Sequence, residues 1–265
     1  MPGPFALATA VSPASDGEWS ASIQPGWDIA GNANGGYLLA TAARALLGAT
    51  GRPDPVTVTA HYLSPGQPGD VRVSTEVLKA GKRFSTATAT VRSGDRPLLT
   101  VLGTLGDLSL AEGPEQVEGG PPDLPPPERC VALDATDTFP PPFMSKVDVR
   151  LHPDDAAFST GQRSGNALMR GWFRLPDDET IDSVALLCAV DALPPTAFNA
   201  RLPMAWTPTV ELTAHIRARP SPGWLRCRFA TRFVSAGFLE EDGEVWDSSG
   251  RLVGQSRQLA LVPRG

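Results

Sequence analysis

The sequence is poor in the residues that build several common kinds of site. Three cysteines (Cys130, Cys188, Cys227) form an odd set with no CxxC pair, which excludes a disulfide framework and offers no zinc-ligand spacing. Three histidines (His61, His152, His215) are too scattered for a metal cluster. Basic residues are not in excess: 23 Lys and Arg against 29 Asp and Glu give a net charge of −6, so the footprint of a nucleic-acid binder is missing. The longest unbroken apolar run is Val184–Val190, far short of a membrane span. The opening Met1-Pro2-Gly3-Pro4-Phe5 has no positively charged region of the kind that starts a signal peptide. A reduced, cytoplasmic protein is the expectation.

What is present is an ordinary globular composition, 41% hydrophobic and 20% charged over 265 residues, with 27 prolines that are unevenly spread. Ala111–Pro127 reads AEGPEQVEGGPPDLPPP and cannot build a core. A second break, Phe139-Pro140-Pro141-Pro142, follows it. The chain is therefore expected to form two domains, 1–110 and 143–265, joined by a linker over 111–142.

The two halves are related. A shift of 154 positions lays Thr59-Ala60-His61 on Thr213-Ala214-His215, Pro68-Gly69 on Pro222-Gly223, and Arg72 on Arg226. A fixed offset with the same order of elements indicates duplication. In the first half, Asn34 can cap a helix over Tyr37–Leu47 that ends at Gly48, with Leu38, Leu39, Ala42 and Leu46 at helical spacing. Alternating runs follow at Val56–Leu63, Val71–Lys79, Phe84–Arg92 and Leu98–Leu105, separated by Pro and Gly turns. The second half repeats the order, with a helix over Ile181–Leu193 and strands near Val210–Ala218, Leu225–Val234, Glu244–Trp246 and Arg251–Val262. One apolar helix followed by an antiparallel meander is an α+β arrangement.

Motifs in both halves carry a resemblance. The first has Trp27, Asn34-Gly35-Gly36-Tyr37, His61-Tyr62-Leu63-Ser64-Pro65-Gly66 and Gly81-Lys82-Arg83-Phe84-Ser85. The second has Gly171-Trp172-Phe173-Arg174, Ala189-Val190-Asp191, Pro208-Thr209-Val210-Glu211-Leu212-Thr213 and Gln255-Ser256-Arg257-Gln258. In order and spacing the chain resembles the double-hotdog acyl-CoA thioesterases. The resemblance implies two tandem hotdog domains, each a central helix wrapped by a curved antiparallel sheet. It also implies hydrolysis of an acyl-CoA thioester by water, with no cofactor, no metal, no nucleic-acid or membrane partner, and association into a homo-oligomer.

In that family an Asp, a strand Thr or Ser and a last-strand Gln hold the attacking water. Matched motif to motif, these fall on Asp191, Thr213 and Gln258. The resemblance further implies that the amide of Gly36 or Tyr37, at the start of the first helix, holds the oxyanion, and that Gly35 leaves room for the substrate. Lys82 and Arg83 are the candidates to meet the coenzyme A phosphates, a solvated hairpin being the alternative. The family's Asp-His before the strand hydroxyl is replaced by Glu211-Leu212.

Two of these residues stand out without the family. On a helix over Ile181–Leu193, Asp191 continues the stripe Val184, Leu187, Cys188, so a carboxylate sits on an apolar face near the helix C-terminus, where burial and the macrodipole both raise its pKa. The alternative is an Asp at a frayed end facing solvent. Gln258 falls opposite Gly103 in the repeat, and Asp191 opposite Ala43, so the polar groups belong to one half only. Thr213 has Thr59 as its counterpart, which leaves a plain strand role open. A hotdog hydratase would need an Asp and His pair before a helix, and neither half shows one. A non-catalytic acyl-CoA-binding protein is the other alternative.

Overall fold

The computed structural model describes residues 2–136, 139–200 and 202–262. Residues 1 and 263–265, at the ends of the two expected domains, lie outside the described residues. Helix α1 spans Gly35–Thr50, and the Asn34 side chain caps it by accepting the Tyr37 N–H at 2.9 Å. It ends at Gly51, whose left-handed φ of 63° closes the last turn, and not at Gly48. Gly48 lies inside the helix, where the Trp19 indole packs over it and leaves no space for a Cβ. Tyr37, Leu38, Leu39, Ala40, Ala42, Ala43, Ala45 and Leu46 are all buried, so α1 is covered on nearly every side.

The cover is one antiparallel sheet. The first half supplies β1 (Ser12–Ser15), β2 (Glu18–Ile23), β3 (Asp54–Tyr62), β4 (Gly69–Ala80), β5 (Ser85–Ser93) and β6 (Arg96–Gly106). The second supplies β7 (Val131–Ala132), β8 (Asp148–Leu151), β9 (Leu168–Arg174), β10 (Thr209–Ile216), β11 (Leu225–Ala230), β12 (Phe238–Trp246) and β13 (Leu252–Leu261). They run in the order β1-β2-β4-β5-β6-β3-β10-β13-β12-β11-β9-β8-β7. Apart from the short terminal β7, the order is symmetric about the β3–β10 pair. There Thr59 lies directly opposite Thr213, its counterpart at the 154-residue offset. A residue that faces its own repeat mate marks a local two-fold axis, and the two hotdog halves form one continuous sheet across it.

The halves differ at their central helices. The expected helix over Ile181–Leu193 is only α2, Ala185–Ala189. The Asp182 side chain accepts the Ala185 N–H at 2.7 Å, while the Ser183 hydroxyl is drawn off to Asp54 at 2.7 Å. Beyond Val190 the chain turns, and Pro194-Pro195 prevents the helix from resuming.

The linker divides into two parts. Residues 111–120 are all exposed, as composition predicts. The rest is not free: Pro122 is buried and the Trp172 indole N–H donates to the Pro125 carbonyl at 2.8 Å. Val131–Ala132 already pairs with β8, so the strands of the second half begin before the expected boundary at 143. Glutamyl endopeptidase should therefore cut first after Glu112, Glu115 or Glu118. The nicked chain should still elute as one species, because β3–β10 pairing holds the fragments together. Separate elution without denaturant would contradict the continuous sheet.

Candidate active site

Asp191 sits in the turn after α2, not on a long apolar helix face, so a macrodipole has little part in its chemistry. Its carboxylate instead meets the N-terminus of the other helix. Oδ2 accepts the Gly36 N–H at 2.7 Å and the Asn34 Nδ2 at 3.1 Å. Asn34 also donates to the Asp191 carbonyl at 3.1 Å, fixing backbone and side chain together. This approach requires glycine: a Cβ on residue 36 would lie 2.6 Å from the Leu187 carbonyl and 2.9 Å from the Asp191 Cβ. Burial pushes the Asp191 pKa up to about 7; the Gly36 N–H opposes this, the Glu241 carboxylate adds to it, and Asn34 opposes it.

Gln258 lies on β13 and faces inward. Its Oε1 accepts the Thr209 hydroxyl at 2.8 Å, and its Nε2 donates to Glu241 Oε1 at 2.8 Å. Glu241 is buried on β12, and its other oxygen takes the Thr196 N–H at 2.9 Å and hydroxyl at 2.7 Å. Burial raises the Glu241 pKa against these hydrogen bonds. A carboxamide has two N–H groups, so Gln258 keeps one after the bond to Glu241.

Thr213 does not join this group. Leu212, Ala214 and Ile216 are buried, so Thr213 between them points to the outer face of β10. There its hydroxyl donates to Glu211 Oε1 at 2.6 Å and lies 2.8 Å from the Thr59 hydroxyl. The threonine at the site is Thr209. A register shift between Thr209 and Glu211 in the β10–β13 ladder turns Thr209 inward, which uniform alternation does not reveal.

The expected oxyanion donors are also engaged. The Gly36 N–H goes to Asp191 and the Tyr37 N–H to Asn34. Gly35 borders the same space: a Cβ there would sit 3.0 Å from Asp191 Oδ2 and 3.0 Å from the Tyr62 hydroxyl. Lys82 and Arg83 are remote. Arg52, just past the C-terminus of α1, donates to the carbonyls of Gly81 and Lys82. Sixteen residues of helix put that end about 24 Å from Asn34. The hairpin is a solvated turn in which Arg83 stacks on Phe84.

Asp191, Thr209, Glu241, Gln258, Gly35 and Tyr62 line one cavity of about 720 Å³. Its remaining wall is mostly apolar, with Leu38, Leu63, Met144, Leu193, Phe198, Trp206 and Leu239. A largely apolar space with a few converging polar groups is the form of a small-molecule site. Among the described residues no cluster of His, Cys, Asp and Glu has the arrangement of a metal site, and no helix is long and apolar enough to cross a membrane.

Comparison with known proteins shows the family of the chain. Residues 23–106 match the family described as the acyl-CoA thioesterase N-terminal domain, and residues 127–262 the acyl-CoA thioesterase C-terminal domain. An uncharacterised protein of Mycobacterium tuberculosis is 30% identical, over 89% of this chain and 88% of its own. A solved structure from Thermobifida fusca, assigned to thioesterase II, superposes with a TM-score of 0.90 at 33% identity, covering 99% of this chain and 98% of that one. A hotdog-fold protein of unknown function from Alicyclobacillus acidocaldarius superposes at 0.87 with 21% identity over 100% of both chains, a likeness of fold alone.

The raised Asp191 pKa has a consequence for stability. Unfolded, the group titrates near about 3.9, and folded at about 7. Between those values the folded state holds the extra proton, so this contribution to stability is lost as pH rises. Asp191→Asn removes the dependence. The melting temperature of the variant minus that of the parent should climb from about pH 4 to about pH 7 and then level off. A difference independent of pH across that window would show that Asp191 titrates normally.

Proposed function

The chain belongs to the acyl-CoA thioesterase family, with the family's N- and C-terminal domains in tandem, and from that premise we propose that it hydrolyses acyl-CoA thioesters with a water nucleophile. The observation that carries the reading is the single cavity in which Asp191, Thr209 and Gln258 border an apolar chamber. Asp191 is the general base. A carboxylate titrating near 7 is matched to proton transfer at neutral pH. Thr209 and Gln258 orient the water: the remaining Gln258 N–H and the lone pairs of the Thr209 hydroxyl are the groups available to it. Glu241 fixes the Gln258 amide in one orientation.

In the reaction the water oxygen adds to the thioester carbon as Asp191 takes its proton. The tetrahedral intermediate then collapses, the carbon–sulfur bond breaks, and the coenzyme A thiolate recovers the proton from Asp191. The products are a carboxylic acid and a free thiol. The apolar chamber takes the acyl group, which is where its hydrophobic surface leaves water.

Release of free thiol from a panel of acyl-CoAs tests the activity, and stoichiometric binding without release would make the chain a binding protein instead. Asp191→Asn should lower kcat by about 10²–10⁴. Gln258→Ala and Thr209→Ala should each cost about 10–10³, since they remove orientation and not proton transfer. Thr213→Ala and Thr59→Ala should leave turnover near that of the parent, because their hydroxyls pair with each other on the outer face. The kcat/KM of the parent should rise with pH to a plateau above about 7. Equal losses at Thr213 and Thr209, or a folded Asp191→Asn variant with most of its turnover, would refute this assignment of roles.

A further inference from the structure

The chain has two tyrosines, and both stand beside the N-terminus of α1. Their hydroxyls are treated very differently. That of Tyr37 accepts the Gln24 N–H at 3.1 Å and donates to the Ala8 carbonyl at 2.9 Å, beneath a ring stacked on Trp27. That of Tyr62 is buried and, among the described residues, has no hydrogen-bond partner. An orphaned buried hydroxyl destabilises a fold, because its desolvation is uncompensated, and native proteins hold few of them. Phenylalanine would fill the same space without that cost.

The position of this hydroxyl gives it a use. Tyr62 closes β3 and lines the cavity, and its oxygen and Asp191 Oδ2 both lie 3.0 Å from the point where a Gly35 side chain would begin. Carboxylate and phenol therefore flank one spot at the polar end of the chamber. Two of the amides that a helix start would offer there are spent, Gly36 on Asp191 and Tyr37 on Asn34. Oxygen charge that develops next to Asp191 needs a donor, and the free phenol is available.

We propose that Tyr62 is a catalytic hydrogen-bond donor that binds the thioester oxygen of the seated substrate and the oxyanion formed when water adds to it. The assignment rests on the reading of the site as a thioester hydrolase. The phenol keeps its proton throughout: burial, then the charges of Asp191, Glu211 and Cys188, hold its pKa well above the ordinary tyrosine value. Its orphan state in the free protein is then a form of preorganisation, a donor set in place without an internal acceptor to compete for it.

Tyr62→Phe removes one oxygen and tests this in three ways, with the parent and Asp191→Asn measured beside it. On the best acyl-CoA, kcat should fall by about 10²–10³, as for loss of one oxyanion donor. Two inert analogues separate contact with the carbonyl from general disturbance. A ketone analogue, with methylene in place of sulfur, keeps the carbonyl and should bind about tenfold more weakly to the variant. An S-alkyl thioether of coenzyme A lacks the carbonyl and should bind equally to both proteins. Without ligand, the variant should melt no lower than the parent. Unchanged kcat, equal weakening of both analogues, or a lower melting temperature would each overturn the role of Tyr62. Loss of turnover in Asp191→Asn with full turnover in Tyr62→Phe would sink this proposal alone. A parent that releases no thiol from any acyl-CoA would sink the hydrolase reading, and this inference with it.

Discussion

The structure depends on how closely the start of α1 can approach the end of α2. At Gly36 there is no space for even a methyl group, and the reward is a 2.7 Å hydrogen bond from its N–H to Asp191. That contact joins residues 155 positions apart, so it exists only because the two halves share one sheet. The β3–β10 ladder brings the helices side by side, and Asn34 then serves both, capping one helix and holding the carboxylate that follows the other. At the opposite end Asp54 makes a comparable link. It accepts from Ser183 and from the Arg219 guanidinium, which outweighs burial and keeps its pKa low. Two polar ties at the two ends of the helix pair fix its register.

Duplication produced two similar frames, and the difference between their helices made the site. In the first half α1 runs for 16 residues, and the Leu46 side chain packs against Gly103, where a Cβ would come within 3.0 Å of it. In the second half α2 is five residues long, and the chain leaves the sheet after it. The strand position equivalent to Gly103 is Gln258, and the space above it is a cavity instead of a helix flank. One half is therefore packed to the density of a core, while the other keeps an open chamber and the polar groups that face it.

That chamber stores free energy as well as shape. Asp191 and Glu241 are two carboxylates in a largely apolar enclosure, both with raised pKa values, Asp191 held by donors at one oxygen and Glu241 at both. Tyr62 adds a hydroxyl with no partner among the described residues. Each would be replaced if stability alone were selected. Two raised carboxylates and an unpaired hydroxyl gathered in one cavity are the physical ground for the proposed site.

Much of this was legible in the residues. The asparagine cap, the apolar helix and the four alternating runs of the first half specify local structure, and the 154-residue offset specifies the second copy. Asp191 and Gln258 were identifiable because each interrupts an apolar or small-residue pattern that its counterpart, Ala43 or Gly103, keeps. Alternation at Leu212, Ala214 and Ile216 places Thr213 outward, against the role that the resemblance implies for it. The positions of Thr209, Glu241 and Tyr62 around the cavity were decided by the tertiary structure alone. A register shift turned Thr209 inward, pairing between β12 and β13 set Glu241 against Gln258, and Tyr62 met Asp191 only across the two halves. Local sequence fixes which way a residue faces within a regular element; bulges and contacts between distant strands depend on how the whole sheet closes, and no window of the sequence contains that information.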